Sequence, residues 1–169
     1  MSVAERRARF HELHAREGIF VMPNPWDAGS ARLLQSCGFE ALATTSAGYA
    51  WLLGRDDHEV TRDELVAHVA ELAAAVDVPL SVDSERCFAS DPAGVAETVR
   101  LLAGAGAAGC SIEDWDPDAG RIDDRGHAAL VERYLDHAGF AAIETRVLAE
   151  YVEDVSDPML AVLGYRPED

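Results

Sequence analysis

No lysine occurs anywhere in this chain of 169 residues: the 14 basic side chains are all arginine, set against 31 acidic ones for a formal net charge of -17. Such a field repels nucleic acid and anionic membrane surfaces, which excludes polyanions as the main partners. A small anionic ligand is not excluded, because a metal ion and a few arginines reverse the sign within one cleft. Cysteine is also sparse. Cys37, Cys87 and Cys110 lie far apart, matching neither a zinc spacing nor a disulfide framework, and read as the reduced thiols of a cytoplasmic protein. An apolar h-region is missing from residues 1–12, as is any apolar run of membrane-spanning length. Low-complexity linkers are absent too. What is present is a hydrophobic content of 49%, enough to bury a core, in a length that favours one domain.

The apolar pattern repeats a short strand followed by a helix. Phe10 and Leu13 sit at helical spacing among charges between Glu5 and Arg16, predicting an opening helix that Gly18 ends. Ile19 to Met22 is a β-prone run stopped by Pro23 and Pro25, the expected first strand. Asp27 or Ser30 caps the next helix, and Gly38 closes it. Phe39 to Thr45 is the expected second strand, and Thr61 with Glu64 forms a capping-box signature before the helical run from Leu65 to Val76. Pro79 to Asp83 is the third strand, Pro92 to Ala103 a helix capped by Asp91, and Gly109 to Ile112 the fourth strand. A fourth helix is expected from Arg125 to His137. Short apolar strands alternating with helices require parallel pairing, because parallel neighbours need a long crossover. Beyond Gly139, the residues Ile143, Val147, Leu148, Tyr151, Val152 and Val155 recur at helical intervals and predict a closing amphipathic helix; a fifth strand over Ala141 to Arg146 is the alternative. The tail from Gly164 is expected to fray.

In a parallel β/α sheet or barrel the chemistry sits at the carboxyl ends of the strands. That rule selects Asp83 and Glu85 after the third strand, Glu113 after the fourth, Asp57 in the loop after the second and Asp27 after the first. Asp83 and Glu85 are two residues apart, a spacing that puts both on one face of a strand. Acidic residues gathered on one rim repel each other unless water or a cation separates them, and Mg²⁺ suits such a set because it prefers hard oxygen donors and keeps several waters. Any one of them alone reads more readily as a helix cap or a residue facing water, and it is the coincidence across three strand ends that points to a cation. Cys87 reads as a buried thiol, and His58, His127 and His137 read as surface residues. Trp26 and Trp51 read as packing beside strand ends. The glycines between Ala103 and Gly109 follow a helix and precede a strand, the wrong order for a phosphate loop.

Four segments in this order resemble the isocitrate lyase and phosphoenolpyruvate mutase superfamily of Mg²⁺-dependent (β/α)₈ barrels acting on 2-oxo and 2-hydroxy carboxylates: PNPWDAGSARLL, TTSAGYAWLLGRDD, PLSVDSE and GCSIED. The resemblance implies that Asp83, Glu85 and Glu113 surround Mg²⁺, largely through water, with Asp57 in the same site. It implies that Ser46, Ala47, Gly48 and Tyr49 offer backbone N–H groups to a substrate carboxylate or developing oxyanion, and that Asp57 and Tyr49 stand next to the chemistry. The implied reaction makes or breaks a C–C or P–C bond through an enolate-like charge. One departure bears on the reaction. Relatives that cleave isocitrate or methylisocitrate carry a Lys/Arg-Cys-Gly-His type loop after the fourth strand, whereas this chain reads WDPDAGRIDDRGH there. That turns the expectation toward an oxaloacetate hydrolase or decarboxylase, or a phosphonate-related reaction.

A complete barrel takes roughly 250 residues, so the expected fold is a partial TIM-type barrel of four parallel β/α units over residues 1–139, followed by a C-terminal helix and tail over residues 140–169. The open edges of such a half-barrel need covering, which predicts a homo-oligomer. Arg146 is the one counterpart for the arginines that later strands of the superfamily supply to the substrate. The alternative function is a truncated, non-catalytic relative that serves as a binding or oligomerising module.

Overall fold

The computed structural model describes residues 1–113, 115–116, 121–122, 142–147 and 160–165. Its centre is a parallel sheet of three strands, β1 (Leu42–Ala43), β2 (Leu80–Asp83) and β3 (Gly109–Ser111), in the order β1-β2-β3. Leu42 pairs with Leu80, Val82 with Cys110, and Asp83 with Ser111. Five helices accompany it among the described residues: α1 (Val3–Ala15), α2 (Ala28–Ser36), α3 (Ser46–Leu52), α4 (Arg62–Ala75) and α5 (Pro92–Gly104). The crossovers between parallel neighbours are α4 and α5, as parallel pairing demands.

The helix starts follow local chemistry. Ser2 with Glu5 and Thr61 with Glu64 form reciprocal capping boxes, each hydroxyl accepting from the third helical N–H while the Glu carboxylate accepts from the cap's own N–H. Asp27 caps α2, and Asp91 caps α5 with Pro92 at the first position. The main core lies between sheet and helices. It joins Leu42, Leu80, Val82, Cys110 and Ile112 to Leu65, Val69, Leu72, Val95, Val99 and Leu102. A second cluster closes the amino-terminal ends of the strands, where Phe10 and Leu13 of α1 meet Ala41 and Ala108, flanked by Phe20 and Met22. Arg6 ties α1 to the end of α4 by donating from Nη1 to the Val76 carbonyl at 3.0 Å and to that of Ala73.

Three expectations need correction. Ile19 to Met22 does not form a strand: its stretch meets β1 through one backbone bond, from Ala43 N–H to the Pro23 carbonyl at 3.2 Å, and Asn24 Nδ2 donates to the Ala43 carbonyl at 2.9 Å. Pro23 and Pro25 have no N–H with which to extend a ladder. The second strand is shorter than expected because Thr44 Oγ1 takes the Asp83 N–H at 2.9 Å in place of a backbone carbonyl, and Thr45 already caps α3. The closing helix is also not what forms at Ile143. Residues Ala142–Val147 make β6, which pairs antiparallel with β7 (Leu160–Tyr165), and β7 runs beside β3. Ile143, Thr145 and Val147 alternate as β-branched residues, a period-two signal that outweighed the helical one, and Gly164 lies within β7. A short antiparallel pair, β4 (Trp115–Asp116) with β5 (Arg121–Ile122), follows β3. The fourth helix expected from 125 to 137 lies outside the described residues.

Two positions in this frame have measurable consequences. Gly109 is overlain by the Phe10 ring so closely that an added Cβ would stand 2.5 Å from Phe10 Cε1. Since Phe10 is buried and pinned in the α1 cluster, Gly109→Ala is expected to cost about 1–3 kcal/mol of overpacking in urea unfolding. His68 is buried, stacks on Tyr49 at a centroid distance of 3.7 Å and has no hydrogen-bond partner at Nε2. Burial lowers its pKa to about 4, against a weaker opposing pull from Asp27. The unfolded chain therefore binds more protons between the two values, so this contribution is complete above the ordinary His pKa and is lost as pH falls toward the folded one. Between about pH 7 and pH 4, wild type is expected to lose about 2 kcal/mol more stability than His68→Phe.

Candidate metal centre

Each acidic residue reaches the carboxyl end of the sheet by a different local route. Asp83 is the last residue of β2 and is fixed by its own bonds: Oδ2 accepts the Ser46 N–H at 2.9 Å, and Oδ1 accepts the Glu85 N–H at 3.3 Å. Glu85 follows in the left-handed backbone region (φ 48), as do Cys87 and Phe88 (φ 59 and 53). Non-glycine residues seldom occupy that region, and such strain persists where the surroundings over-determine it. It turns the Glu85 side chain into a nearly closed position, 6% exposed. Glu113, two residues beyond β3, donates its N–H to the Glu85 carbonyl at 2.7 Å, so the two loops are joined. Asp57 and His58 come from the loop between α3 and α4, with His58 also left-handed (φ 67). The His58 Nδ1 stands 3.2 Å from Glu85 Oε2, and its Nε2 stands 3.9 Å from Asp57 Oδ2.

The electrostatics reflect this crowding. Burial raises the Glu113 carboxyl to about 7, reinforced by the charges of Asp83, Glu85 and Asp57 and partly offset by His58. Burial likewise raises Glu85, against the hydrogen bond and charge of His58. For His58 burial alone works downward, but the Glu85 hydrogen bond and the charges of Asp57, Glu85 and Glu113 outweigh it and raise the pKa. The cluster therefore carries more negative charge than the protein neutralises by itself. Hard carboxylate oxygens from several chain segments, crowded at one end of a parallel sheet, are a donor set that fits a divalent cation.

The remaining residues singled out from the sequence divide. Ser46 to Tyr49 form the first turn of α3 rather than an open turn, because Thr45 Oγ1 caps the helix by accepting the Gly48 N–H at 3.3 Å. Tyr49 makes its contacts with the start of α3 and with α4. Its N–H donates to the Thr45 carbonyl, its hydroxyl makes a long 3.5 Å contact to the Glu64 carbonyl, and its ring lies on His68. The Ser46 N–H is taken by Asp83, which narrows the amides facing the cluster. Asp27 serves α2 as its cap. Cys87 is buried, with its thiol pushed up to about 11 by desolvation. Trp26 and Trp51 meet edge-on at 6.0 Å, both exposed. The residue that sequence reasoning missed is His58: a lone histidine in a polar loop has no periodicity, and its one signal was adjacency to Asp57.

A parallel α/β sheet with an acidic cluster at its strand ends defines the structural class. The phosphoenolpyruvate phosphomutase family model matches residues 10–150, and the chain belongs to that family within the isocitrate lyase and phosphoenolpyruvate mutase superfamily. A crystal structure of a candidate lyase/mutase from Burkholderia cenocepacia J2315 is 47% identical with a TM-score of 0.78, covering 83% of this chain and 51% of that one. The 2-methylisocitrate lyase of Escherichia coli (strain K12) is 32% identical over 168 residues, 97% of this chain and 56% of the lyase. The structure of oxaloacetate acetylhydrolase in complex with the product oxalate is 27% identical with a TM-score of 0.68, covering 79% of this chain and 47% of that one. The chain thus spans about half the length of these relatives. No helix among the described residues is long and apolar enough to cross a membrane.

The raised Glu113 carboxyl gives a test of the cluster's charge. Its folded pKa, about 7, exceeds the ordinary 4.5, so the folded state holds a proton that the unfolded state releases, and stability falls as pH rises between the two. In the presence of a chelator, Glu113→Gln is expected to be more stable than wild type at about pH 8 by about 1–2 kcal/mol, and to lose this part of the pH slope in urea unfolding. An unchanged slope would mean that this carboxyl is well solvated.

Proposed function

We propose that this chain is a divalent-metal-dependent enzyme of the lyase and mutase type, acting on small 2-oxo or 2-hydroxy carboxylates at a C–C or P–C bond. The observation that supports the reading is the gathering of carboxylates after the parallel strands: Asp57 and Glu85 have ligand atoms within 4.8 Å of each other and of His58, Asp83 accepts the Glu85 N–H, the Glu113 N–H is bonded to the Glu85 carbonyl, and burial raises the Glu85 and Glu113 carboxyl pKa values. Asp83, Glu85 and Glu113 would hold Mg²⁺, largely through water, with Asp57 as a further carboxylate of the same site. When bound, the cation would polarise a substrate carbonyl and offset the charge that develops beside it. The protein's own part is positional. Asp83 joins β2 to the start of α3, which brings the first turn of that helix beside the cluster; with the Ser46, Gly48 and Tyr49 N–H groups already bonded, Ala47 is the residue of that turn whose N–H would serve a substrate carboxylate.

For the substrate, the loop after β3 lacks the Cys-containing pattern of isocitrate-cleaving relatives, which favours oxaloacetate or a phosphonate analogue of pyruvate. Likeness to an acetylhydrolase whose product is oxalate supports the same class. A homo-oligomer in the cytoplasm is the assembly that accords with the exposed apolar side chains Ile19, Val21, Trp51, Leu52 and Leu53.

Calorimetric titration of Mg²⁺ provides the test. Wild type is expected to bind one ion per chain, and Asp83→Ala or Glu113→Ala to weaken it by about tenfold or more. Equal, negligible binding by all three would remove the metal from the proposal. Oxaloacetate hydrolysis followed by oxalate release separates the enzyme from a non-catalytic binding module, which would bind the ion and oxalate without turnover.

A further inference from the structure

We infer that His58 is a direct ligand of the ion at this site, and that its nitrogen turns the site's preference from Mg²⁺ toward a first-row transition cation of the Co²⁺ type. The inference rests on the proposed metal site but not on its carboxylates alone. Among the described residues, the set of side chains whose ligand atoms all lie within 4.8 Å of one another is Asp57, His58 and Glu85, a mixed nitrogen and oxygen set. The 3.2 Å between His58 Nδ1 and Glu85 Oε2 is close to the roughly 3 Å that separates adjacent donors around one ion at about 2.1 Å. Nδ1, on the Glu85 side, is therefore the nitrogen that would coordinate, while Asp57 Oδ2 stands 3.9 Å from the opposite ring nitrogen, on the side of the remaining N–H.

Two independent features hold the ring there. Both His58 and Glu85 have left-handed backbones, φ 67 and φ 48, an arrangement unfavourable for either residue in isolation. The other oxygen of Asp57 accepts the His58 N–H at 3.0 Å, fixing the carboxylate beside the ring that follows it in sequence. A simple His58–Glu85 ion pair accounts for neither Asp57 nor the remaining carboxylates: one imidazole stands against Asp57, Asp83, Glu85 and Glu113. The donor chemistry then decides the ion. Mg²⁺ dehydrates reluctantly and takes oxygen ligands, whereas imidazole suits the later first-row divalent ions, whose affinity for such sites rises from Mn²⁺ through Co²⁺.

The experiment uses Co²⁺ alone and Mg²⁺ alone, added to the full chain without substrate. Wild type is expected to bind Co²⁺ at least about tenfold more tightly than Mg²⁺, and His58→Ala to lose about tenfold or more for Co²⁺ while changing Mg²⁺ by less than about twofold. The Co²⁺-loaded wild type should show a hyperfine-shifted imidazole N–H proton resonance that vanishes in D₂O and is missing from the variant. His58→Asn, which keeps a polar side chain without an imidazole, should behave as His58→Ala does, and circular dichroism checks that both remain folded. Co²⁺ affinity unchanged in both variants, or no shifted N–H resonance in wild type, overturns the inference while leaving the carboxylate site standing. Binding of neither ion by wild type, or equal binding by Asp83→Ala, overturns the site itself.

Discussion

The Asp83 carboxylate is the point on which the arrangement turns. It closes β2, accepts the first N–H of α3 on one oxygen and the Glu85 N–H on the other, while its own N–H is held by Thr44 at the end of β1. One residue thus links two strands through its backbone N–H, and the start of a helix and the loop that delivers the next acidic residue through its carboxylate. Two N–H donors stabilise its charge locally, as carboxylates are stabilised at helix starts. Glu85 and Glu113 have less help, and burial drives both toward the protonated form. The same carboxyl end therefore contains one carboxylate held by backbone N–H groups and two whose charged form burial disfavours, Glu85 having His58 as its partner.

Much of the frame was legible from residues alone because its signals were local. Thr61 with Glu64, Asp91 before Pro92 and Asp27 before Ala28 each state a helix start in a few positions, and each cap forms where expected. The parallel pairing of Leu80–Asp83 with its neighbours followed from short apolar runs separated by helices. The failures arose where two periodicities overlapped or where long-range bonds decided. Ile143 to Val147 satisfies both a helical and an alternating pattern, and pairing with Leu160–Tyr165, far along the chain, selects the strand. Ile19 to Met22 had the composition of a strand, but two prolines cost it the ladder.

For the candidate site, strand-end reasoning also selected Asp27, which the structure uses as the cap of α2. Strand-end reasoning picks out Asp57, Asp83, Glu85 and Glu113 because topology, not sequence proximity, brings them together. Tyr49 was selected through the family resemblance, and the structure stacks its ring on buried His68, a contact between distant positions that no local pattern announces. His58 was read as a surface residue: its place beside Glu85 depends on a backbone twist and a contact to a residue 27 positions away, neither of which a residue string displays.

The left-handed backbone at Glu85 places that position under two opposed demands. Glycine would relax the φ angle but forfeit the oxygen, and a branched or bulky residue would lose both. Under the metal role proposed for Glu85, substitution at this position is narrowed from both sides, by conformation and by chemistry.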